Sequence, residues 1–298
     1  MNGEKKTRGI FLMDLETFFE KQNKKKQLKI LTCGSVDDGK STLLGRLMYD
    51  SKNIYSDQLI QVQTESEKYG TQGEKIDLAL LIDGLQAERE QGITIDVAYR
   101  YFETEKCKFI IADTPGHEEY TRNMATGASN SDIGIILVDA TKGILEQTKR
   151  HTFILSLLGI ENIIVTINKM DLIAYDEKIF QETIKSFNLI SSKFNFKIEK
   201  FIPISALNGD NVFKKNKNIN WYNGKTLIEE LEQISLADVE EDIFSMPVQW
   251  VNRLSSNFRG YCGTISSGKI KIDDEVQVLP SKQKNIIKKI LIPSGEQD

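Results

Sequence analysis

Cysteine is scarce in this sequence, and its three copies lie far apart. Cys33, Cys107 and Cys262 show none of the short paired spacings that are typical of metal sites. Two of them lie in apolar, strand-like runs, so we expect buried, reduced thiols without a redox or metal role. This usage suits a reducing compartment.

Long apolar runs and a strong net charge are also missing. No stretch could span a membrane, and the charged N-terminus lacks the apolar core and small-residue cleavage site of a signal peptide. We therefore expect a cytoplasmic protein without a membrane partner. The formal net charge of −4 argues against binding nucleic acid through bulk positive charge. The 298 residues suffice for one large core and part of a second domain.

Apolar strand-like runs alternate with helical patterns from Leu28 onward. This alternation predicts an α/β fold whose mostly parallel sheet is covered on both faces and binds ligands beyond the carboxyl ends of its strands. The predicted strands are Leu28–Cys33, Ile95–Phe102, Lys108–Ala112, Ile133–Asp139, Asn162–Ile167 and Lys200–Pro203. The predicted helices are Ser41–Tyr49, Asp57–Lys68, Glu118–Gly127, Leu145–Leu158, Asp176–Phe194 and Thr226–Gln233.

The most specific motif directly follows the first predicted strand. Two glycines, a lysine and a serine have the spacing of a phosphate-binding loop, in which backbone N–H groups form an anion nest. Lys40 can reach the outer phosphates, Ser41 can offer a hydroxyl to Mg²⁺, and the helix from Thr42 adds its dipole. A chance glycine-rich turn is the alternative. The loop consists of Gly34, Ser35, Val36, Asp37, Asp38, Gly39, Lys40 and Ser41.

A second motif, Asp113-Thr114-Pro115-Gly116-His117, ends the third apolar strand. The carboxylate of Asp113 can hold Mg²⁺ through a water molecule, and Gly116 can offer an N–H group to a γ-phosphate. The alternative is a plain turn, because Asp, Pro and Gly all favour turns. The phosphate loop upstream favours the functional interpretation.

A third motif, Asn168-Lys169-Met170-Asp171, follows the fifth predicted strand. The carboxylate of Asp171 can accept paired hydrogen bonds from the ring N–H and the exocyclic amine of guanine, a donor pair that adenine lacks. The later segment Ser205-Ala206-Leu207 could place a backbone N–H on the guanine O6. Together these residues predict GTP as the nucleotide.

A long polar segment separates the first helix from Ile95 and ends in Glu88-Arg89-Glu90-Gln91-Gly92-Ile93-Thr94. Thr94 could bind Mg²⁺ only while the γ-phosphate is present, which would make this segment a conformational switch. A plain helical insertion remains the alternative.

In this order, the motifs resemble those of the translation-factor-type GTPases. The loop variant Ser35-Val36-Asp37-Asp38 narrows the resemblance to the GTPase subunits of bacterial sulfate adenylyltransferases. Further matching segments are Ile76–Leu80, Asp83–Glu90, Tyr120–Ser129 and Arg259-Gly260-Tyr261. The resemblance runs from about Leu28 to Ile292.

The resemblance implies a GTPase that drives a small catalytic subunit, in a heterodimer or higher assembly, to make adenylyl sulfate and pyrophosphate from ATP and sulfate. It implies that Ser41 and Thr94 bind Mg²⁺, that Asp113 acts through water, and that the catalytic His117 orients the attacking water. Val36 and Ile93 occupy the places of an apolar gate. His151 is expected to be a surface or packing residue.

The domain prediction combines the motifs with a change of pattern near Ser245-Met246-Pro247. We predict an N-terminal helical extension at 1–27, a GTP-binding domain at 28–243 and an incomplete antiparallel β-barrel at 244–298. The extension could be a surface-packed helix or a docking arm. The predicted barrel strands are Val248–Val251, Tyr261–Ile265, Val276–Leu279 and Ile286–Ile292, which are few for a closed barrel, so we expect a longer full-length protein.

Two alternatives stay open. One is a translation elongation-factor-like GTPase that acts with tRNA or the ribosome, although the acidic balance disfavours a nucleic-acid partner. The other is the GTPase part of a bifunctional sulfate adenylyltransferase and adenylyl sulfate kinase, or of a nodulation sulfation system. The kinase would need another phosphate loop, and none occurs within the 298 residues.

Overall fold

A computed structural model describes residues 25–52, 54, 62–64, 66, 76–82, 88, 93–235, 243–255, 258–292 and 295–297. Residues 1–24 of the predicted N-terminal helical extension (1–27) lie outside these described residues, and its last two residues belong instead to the first strand, Lys26–Cys33. Most of the predicted helix Asp57–Lys68 and most of the motif Asp83–Gly92 also lie outside them. The chain divides into two compact units between Ile234 and Ser235.

A six-stranded sheet forms the centre of the first unit, in the order β2-β3-β1-β4-β5-β6. All neighbouring pairs are parallel except the edge strand β2, which is antiparallel to β3. The predicted mostly parallel sheet is therefore confirmed. The strands are β1 (Lys26–Cys33), β2 (Ala98–Glu103), β3 (Cys107–Asp113), β4 (Ile133–Asp139), β5 (Asn162–Asn168) and β6 (Ile198–Pro203).

Runs of Ile, Leu and Val explain why the central strands form and where the core lies. Strand β4 is buried at every position, as expected for a parallel strand between two helical layers. The helices are α1 (Lys40–Asp50), α2 (Thr121–Ala128), α3 (Glu146–Leu157), α4 (Glu177–Ser191) and α5 (Leu227–Gln233). Short 3₁₀ turns lie at Leu78–Leu81, Glu118–Tyr120, Met170–Ile173 and Lys217–Ile219.

In the first unit, two predicted elements differ clearly from those observed, and contacts with other residues explain one of the differences. Strand β2 begins at Ala98 rather than Ile95, because the Glu88 carboxylate accepts hydrogen bonds from the N–H groups of Ile95 and Asp96 (3.0 and 3.4 Å). The predicted helix Glu118–Gly127 is a 3₁₀ turn followed by α2. The break falls at Tyr120, whose φ of −100° and ψ of 18° are not helical.

The second unit contains short antiparallel strand pairs, as expected for the predicted antiparallel domain, but the predicted strand Tyr261–Ile265 lies instead at Phe258–Cys262. Strands β7 (Trp250–Ser255), β8 (Phe258–Cys262), β9 (Glu275–Val278), β10 (Gln283–Ile286), β11 (Ile290–Ile292) and β12 (Gly295–Gln297) pair as β7–β8, β9–β10 and β11–β12. The predicted strand Ile286–Ile292 is interrupted, since β10 ends at Ile286 and β11 begins at Ile290. The domain bounds proposed from sequence stay a prediction.

Two smaller expectations can be compared with the structure. Cys33 and Cys107 are buried free thiols, as expected, and Cys262 is partly exposed. None of the helices within the described ranges combines the length and the apolar character needed to cross a membrane.

Candidate nucleotide-binding site

The predicted phosphate loop connects β1 to α1 at the carboxyl end of the sheet. Two of its residues, Asp37 (φ 66°) and Gly39 (φ 91°), adopt the left-handed conformation that curls the chain. A Cβ atom at Gly39 would collide with Nδ2 of Asn168, so this position requires glycine. The loop therefore has the tight backbone path that an anion nest needs.

The Lys40 side chain folds back onto the backbone at the start of the phosphate loop. Its ammonium Nζ donates to the carbonyls of Ser35 (2.7 Å) and Gly34 (3.3 Å), and the residue is only 7% exposed. Burial lowers the pKa of Lys40, while the nearby carboxylates of Asp38 and Asp113 oppose that change. The amine nitrogen thus lies against the loop backbone, with the carboxylates of Asp38 and Asp113 nearby.

The Asp38 side chain is hydrogen-bonded to the backbone of its own loop. Its Oδ2 accepts a hydrogen bond from the N–H of Ser35 at 2.6 Å. Burial raises the pKa of Asp38 to about 6, although the Lys40 charge works in the opposite direction. The Ser35 hydroxyl is buried and has no hydrogen-bond partner among the described residues, so the loop retains an unused polar atom.

The second predicted motif lies against the phosphate loop, because β3 pairs with β1. The Thr32 hydroxyl donates to Oδ1 of Asp113 (3.3 Å), and the Thr114 hydroxyl donates to the Thr32 carbonyl (2.6 Å). A Cβ atom at Gly116 would lie only 2.8 Å from the Ser35 carbonyl carbon, and close to Nζ of Lys40. Gly116 therefore allows this turn to approach the loop as closely as it does.

Pro115 is buried within this turn, and His117 follows it at the protein surface. The His117 side chain is 43% exposed, and its Nδ1 accepts the N–H of Glu119 at 3.4 Å. His117 is the N-cap residue of the 3₁₀ turn that precedes α2. No described contact joins it to the phosphate loop.

Thr94 and its neighbours are attached to the first unit from two sides. Glu88 binds the N–H groups that follow Thr94, and Nδ2 of Asn123 on α2 donates to the Ile95 carbonyl at 2.9 Å. Ile93 and Val36, the proposed gate residues, are both partly buried. Thr94 thus directly precedes Ile95, whose backbone is hydrogen-bonded to Glu88 and to Asn123 of α2.

Asn168 joins the phosphate loop to the third predicted motif. Its Nδ2 donates to the Asp38 carbonyl at 2.8 Å, and its Oδ1 accepts the N–H of Ala206 at 2.9 Å. Arg46 of α1 adds hydrogen bonds to the carbonyls of Ala206 and Leu207. These bonds bring the predicted phosphate and base segments into one site.

The neighbouring Lys169 forms an ion pair with Asp139 at the end of β4. Its Nζ lies 2.8 Å from Oδ2 of Asp139, and its own backbone is left-handed (φ 61°). Burial acts to raise the pKa of Asp139, but hydrogen bonds from Lys169 and Thr141 lower it below the usual value. Met170 is fully buried, whereas Asp171 lies partly exposed in the next turn.

Comparison with known proteins decides the family. Residues 25–245 match the elongation factor Tu GTP binding domain. The chain belongs to this GTP-binding domain family.

Two curated relatives are similar over almost the whole chain. A Cellvibrio japonicus (strain Ueda107) protein named sulfate adenylyltransferase subunit 1 is 56% identical over 97% of this chain and 61% of its own length. A protein of the same name from Teredinibacter turnerae (strain ATCC 39867 / T7901) is 55% identical over 96% and 61%, respectively. The predicted resemblance to a subunit of sulfate adenylyltransferase is confirmed. The chain spans about three-fifths of the length of these relatives.

A solved structure supports the fold. The GTPase-like domain of Saccharomyces cerevisiae Ski7, bound to GTP, has a TM-score of 0.61 and 22% identity. The match covers 92% of this chain and 66% of that chain. At this identity the likeness concerns the fold alone.

Sequence reasoning missed two residues of this GTP-binding-domain site. The sequence predicts Arg46 only as part of the first helix, and His151 as a surface or packing residue. His151 is fully buried, and its Nδ1 accepts the N–H of Gly34 at 3.1 Å. Neither contact has a local sequence signal, because the partners lie more than 100 residues away along the chain.

Proposed function

We propose that this chain binds GTP with Mg²⁺, hydrolyses GTP to GDP and phosphate, and drives sulfate activation by a small adenylyltransferase subunit. The observation that carries the proposal is the pair of hydrogen bonds through Asn168, which places the phosphate loop beside the Ser205–Leu207 segment. The similarity to proteins named sulfate adenylyltransferase subunit 1 supports the sulfate chemistry.

The residues of the loop fit a polyphosphate. Gly39 and Gly116 leave no room for side chains, Lys40 supplies a buried positive charge, and Ser35 has an unused hydroxyl. We assign phosphate binding to the loop from Gly34 to Thr42 and to the turn from Asp113 to Gly116. Lys40 would neutralise charge that develops on the transferred phosphoryl group.

The proposed Mg²⁺ ligands are Ser41, Thr94 and, through water, Asp113. Hydroxyl and carboxylate oxygens are the hard ligands that this ion prefers. Bound Mg²⁺ would neutralise charge on the phosphates and orient them. Mg²⁺ usually keeps several waters and is bound through one or two carboxylates together with substrate phosphates, so it would bind together with the nucleotide.

We assign guanine recognition to the segments Asn168–Asp171 and Ser205–Leu207. Asp171 would accept the two N–H groups of guanine, and a backbone N–H of the second segment would meet its O6. The Asn168 side chain is already engaged with the protein at both ends, so its role is to hold these segments together.

We assign His117 the role of orienting the attacking water. The water oxygen would form a bond to the γ-phosphorus while the bond to the β–γ bridging oxygen breaks, and the water proton would leave with the phosphate product or to solvent. The half-exposed ring leaves His117 free to respond to a partner. Hydrolysis without a partner should therefore be slow.

Coupling requires that the GTP and GDP states bind the partner's intermediates differently, because the formation of adenylyl sulfate is strongly uphill. We assign GTP binding to residues 28–243 and part of a β-barrel to residues 244–298. The partner would join this chain in a heterodimer or a higher assembly.

The test measures adenylyl sulfate formed from ATP and sulfate by this chain and a small adenylyltransferase subunit, with and without GTP. We expect product formation to depend on GTP and to be lost in Lys40→Ala. As a control, Lys149→Ala changes an exposed lysine of α3 and should retain the effect. Product formation that ignores GTP, or GTP turnover stimulated by ribosomes instead, would overturn the sulfate assignment.

A further inference from the structure

His151 contacts the first residue of the phosphate loop. The residue belongs to α3 and is fully buried, and its Nδ1 is 3.1 Å from the backbone nitrogen of Gly34. Gly34 is the first residue after β1, so its N–H is the first that the loop presents. A side chain of a distant helix thus satisfies the backbone donor at which the loop begins.

The direction of this hydrogen bond fixes the tautomer of the ring. The N–H of Gly34 can only donate, so Nδ1 must be unprotonated and Nε2 carries the proton. Burial, together with the charges of Lys40 and Arg150, lowers the pKa of His151 to about 4, which keeps the ring neutral near pH 7. Its Nε2 is buried without a hydrogen-bond partner among the described residues.

The Gly34 peptide is held on both sides. His151 binds its N–H, while the Lys40 ammonium binds its carbonyl at 3.3 Å and the Ser35 carbonyl at 2.7 Å. The next N–H, that of Ser35, is bound by Asp38. A displacement of Gly34 would therefore also move the carbonyls that hold Lys40.

The surroundings of Gly34 are tightly packed. A Cβ atom at Gly34 would lie 2.7 Å from the Leu137 carbonyl oxygen of β4 and 3.0 Å from Oδ2 of Asp38. The peptide is thus enclosed by β4, by the Asp38 carboxylate and by the His151 ring. Without an acceptor at Nδ1, the buried N–H of Gly34 would lose its partner, which favours another path for the loop.

We infer that His151 is a positioning residue for guanine-nucleotide binding. It fixes the position of Gly34, the first residue of the phosphate loop, and, through the carbonyls of Gly34 and Ser35, the position of the Lys40 ammonium. This inference rests on the proposed function, since it concerns the same nucleotide. It assigns to α3 a role in the site that none of the sequence motifs contains.

The test compares His151→Asn with His151→Leu in the full 298-residue chain, using the affinity for fluorescently labelled GDP. The Asn Oδ1 can occupy the place of Nδ1, whereas Leu fills the apolar space without an acceptor. We expect affinity within threefold of the wild type for Asn and at least a tenfold loss for Leu. A role in packing alone predicts the reverse order, because Leu preserves the buried apolar contacts better.

Thr148→Val is the matched control. Thr148 is buried on α3, one turn before His151, and its hydroxyl has no hydrogen-bond partner among the described residues. This variant should bind GDP as the wild type does. If His151→Leu fails to fold, His151→Gln replaces it. The Gln amide reaches the place of Nε2 rather than that of Nδ1, so we expect this variant to bind GDP at least tenfold more weakly than His151→Asn.

The outcomes separate the two proposals. A wild-type chain that does not bind GDP would overturn the proposed function, and this inference with it. A wild type that binds GDP, together with a Leu or Gln variant of equal affinity, would overturn the role of His151 alone. Imidazole ¹⁵N shifts that show a protonated Nδ1 would also contradict it.

Discussion

Asp38 is a buried acid in a loop proposed to bind anions, and its titration is therefore measurable. Its pKa is raised to about 6 by burial, with Lys40 and Lys142 opposing and Asp139 reinforcing the change. The protonated form stabilises the fold below the unfolded pKa of about 3.9, and this contribution is lost as pH rises through about 6. Above that pH the protein must accommodate a desolvated carboxylate.

Asp38→Asn should therefore stabilise the nucleotide-free protein more at high pH than at low pH. The Asn side chain can still accept the Ser35 N–H but never ionises. We expect the difference in unfolding free energy between variant and wild type to grow by about 1.4 kcal/mol from pH 5 to pH 8. Urea unfolding at both pH values measures it. His151 titrates alike in both proteins, so an equal difference at both pH values would contradict the raised pKa.

His117 is exposed enough to be changed without disturbing the core. We expect His117→Ala to bind GTP within threefold of the wild type and to hydrolyse it about 100-fold more slowly with the partner, because only the water is less well oriented. Single-turnover hydrolysis and nucleotide affinity separate the two effects. Lys149→Ala, a change at an exposed lysine that pairs with Glu146 rather than with His117, serves as the control. Unchanged hydrolysis would remove His117 from the mechanism.

Asp171 is the residue proposed to select guanine. Asp171→Asn replaces an acceptor with a donor, which should relax the preference from guanine toward xanthine nucleotides. Competition between GDP and xanthosine diphosphate measures the preference. Asp176→Asn is the matched control, because Asp176 caps α4 through Lys178 N (2.7 Å) and does so equally well as an amide. An unchanged preference in Asp171→Asn would argue against base recognition by this residue.

At the scale of elements, the repeating apolar patterns of the sequence predict the buried strands. Contacts with residues distant along the chain determine where other elements begin. The apolar run of β4 has the predicted bounds, because every one of its positions is buried. The start of β2 depends on the carboxylate of Glu88, which no strand pattern contains. The same limit applies to His151, since its bond to Gly34 exists only once α3 packs beneath the loop.

Helix α5 offers a test of a local signal that the structure contains in full. The Thr226 hydroxyl accepts the Glu229 N–H (3.4 Å), and the Glu229 carboxylate accepts the Thr226 N–H (2.9 Å). Thr226→Ala should lower the unfolding free energy by about 1 kcal/mol, measured by urea unfolding. Thr226→Ser keeps the hydroxyl and should lose much less. Equal losses in both variants would assign the effect to the missing methyl group rather than to the cap.

At the scale of the whole molecule, the order of strands lies beyond local sequence signals. The motifs occur at separate places along the chain. Parallel pairing of β3, β1, β4, β5 and β6 brings the carboxyl ends of these strands, and the motifs that follow them, to one edge of the sheet. Asn168 then connects the phosphate loop to the segment after β6. The motif residues could be predicted from the sequence, but the bonds that unite them required the fold.

A site assembled from so many strand ends should stabilise the fold when it is filled. GDP at 100 times its dissociation constant should add about 2.7 kcal/mol to the unfolding free energy, because only the folded chain forms the site. We expect the melting temperature to rise by about 5–10 °C. Thermal unfolding with and without GDP measures the change, and ADP at the same concentration should produce none. The rise should disappear in Lys40→Ala and remain in Lys149→Ala; an equal rise with ADP would show that the base segments do not select guanine.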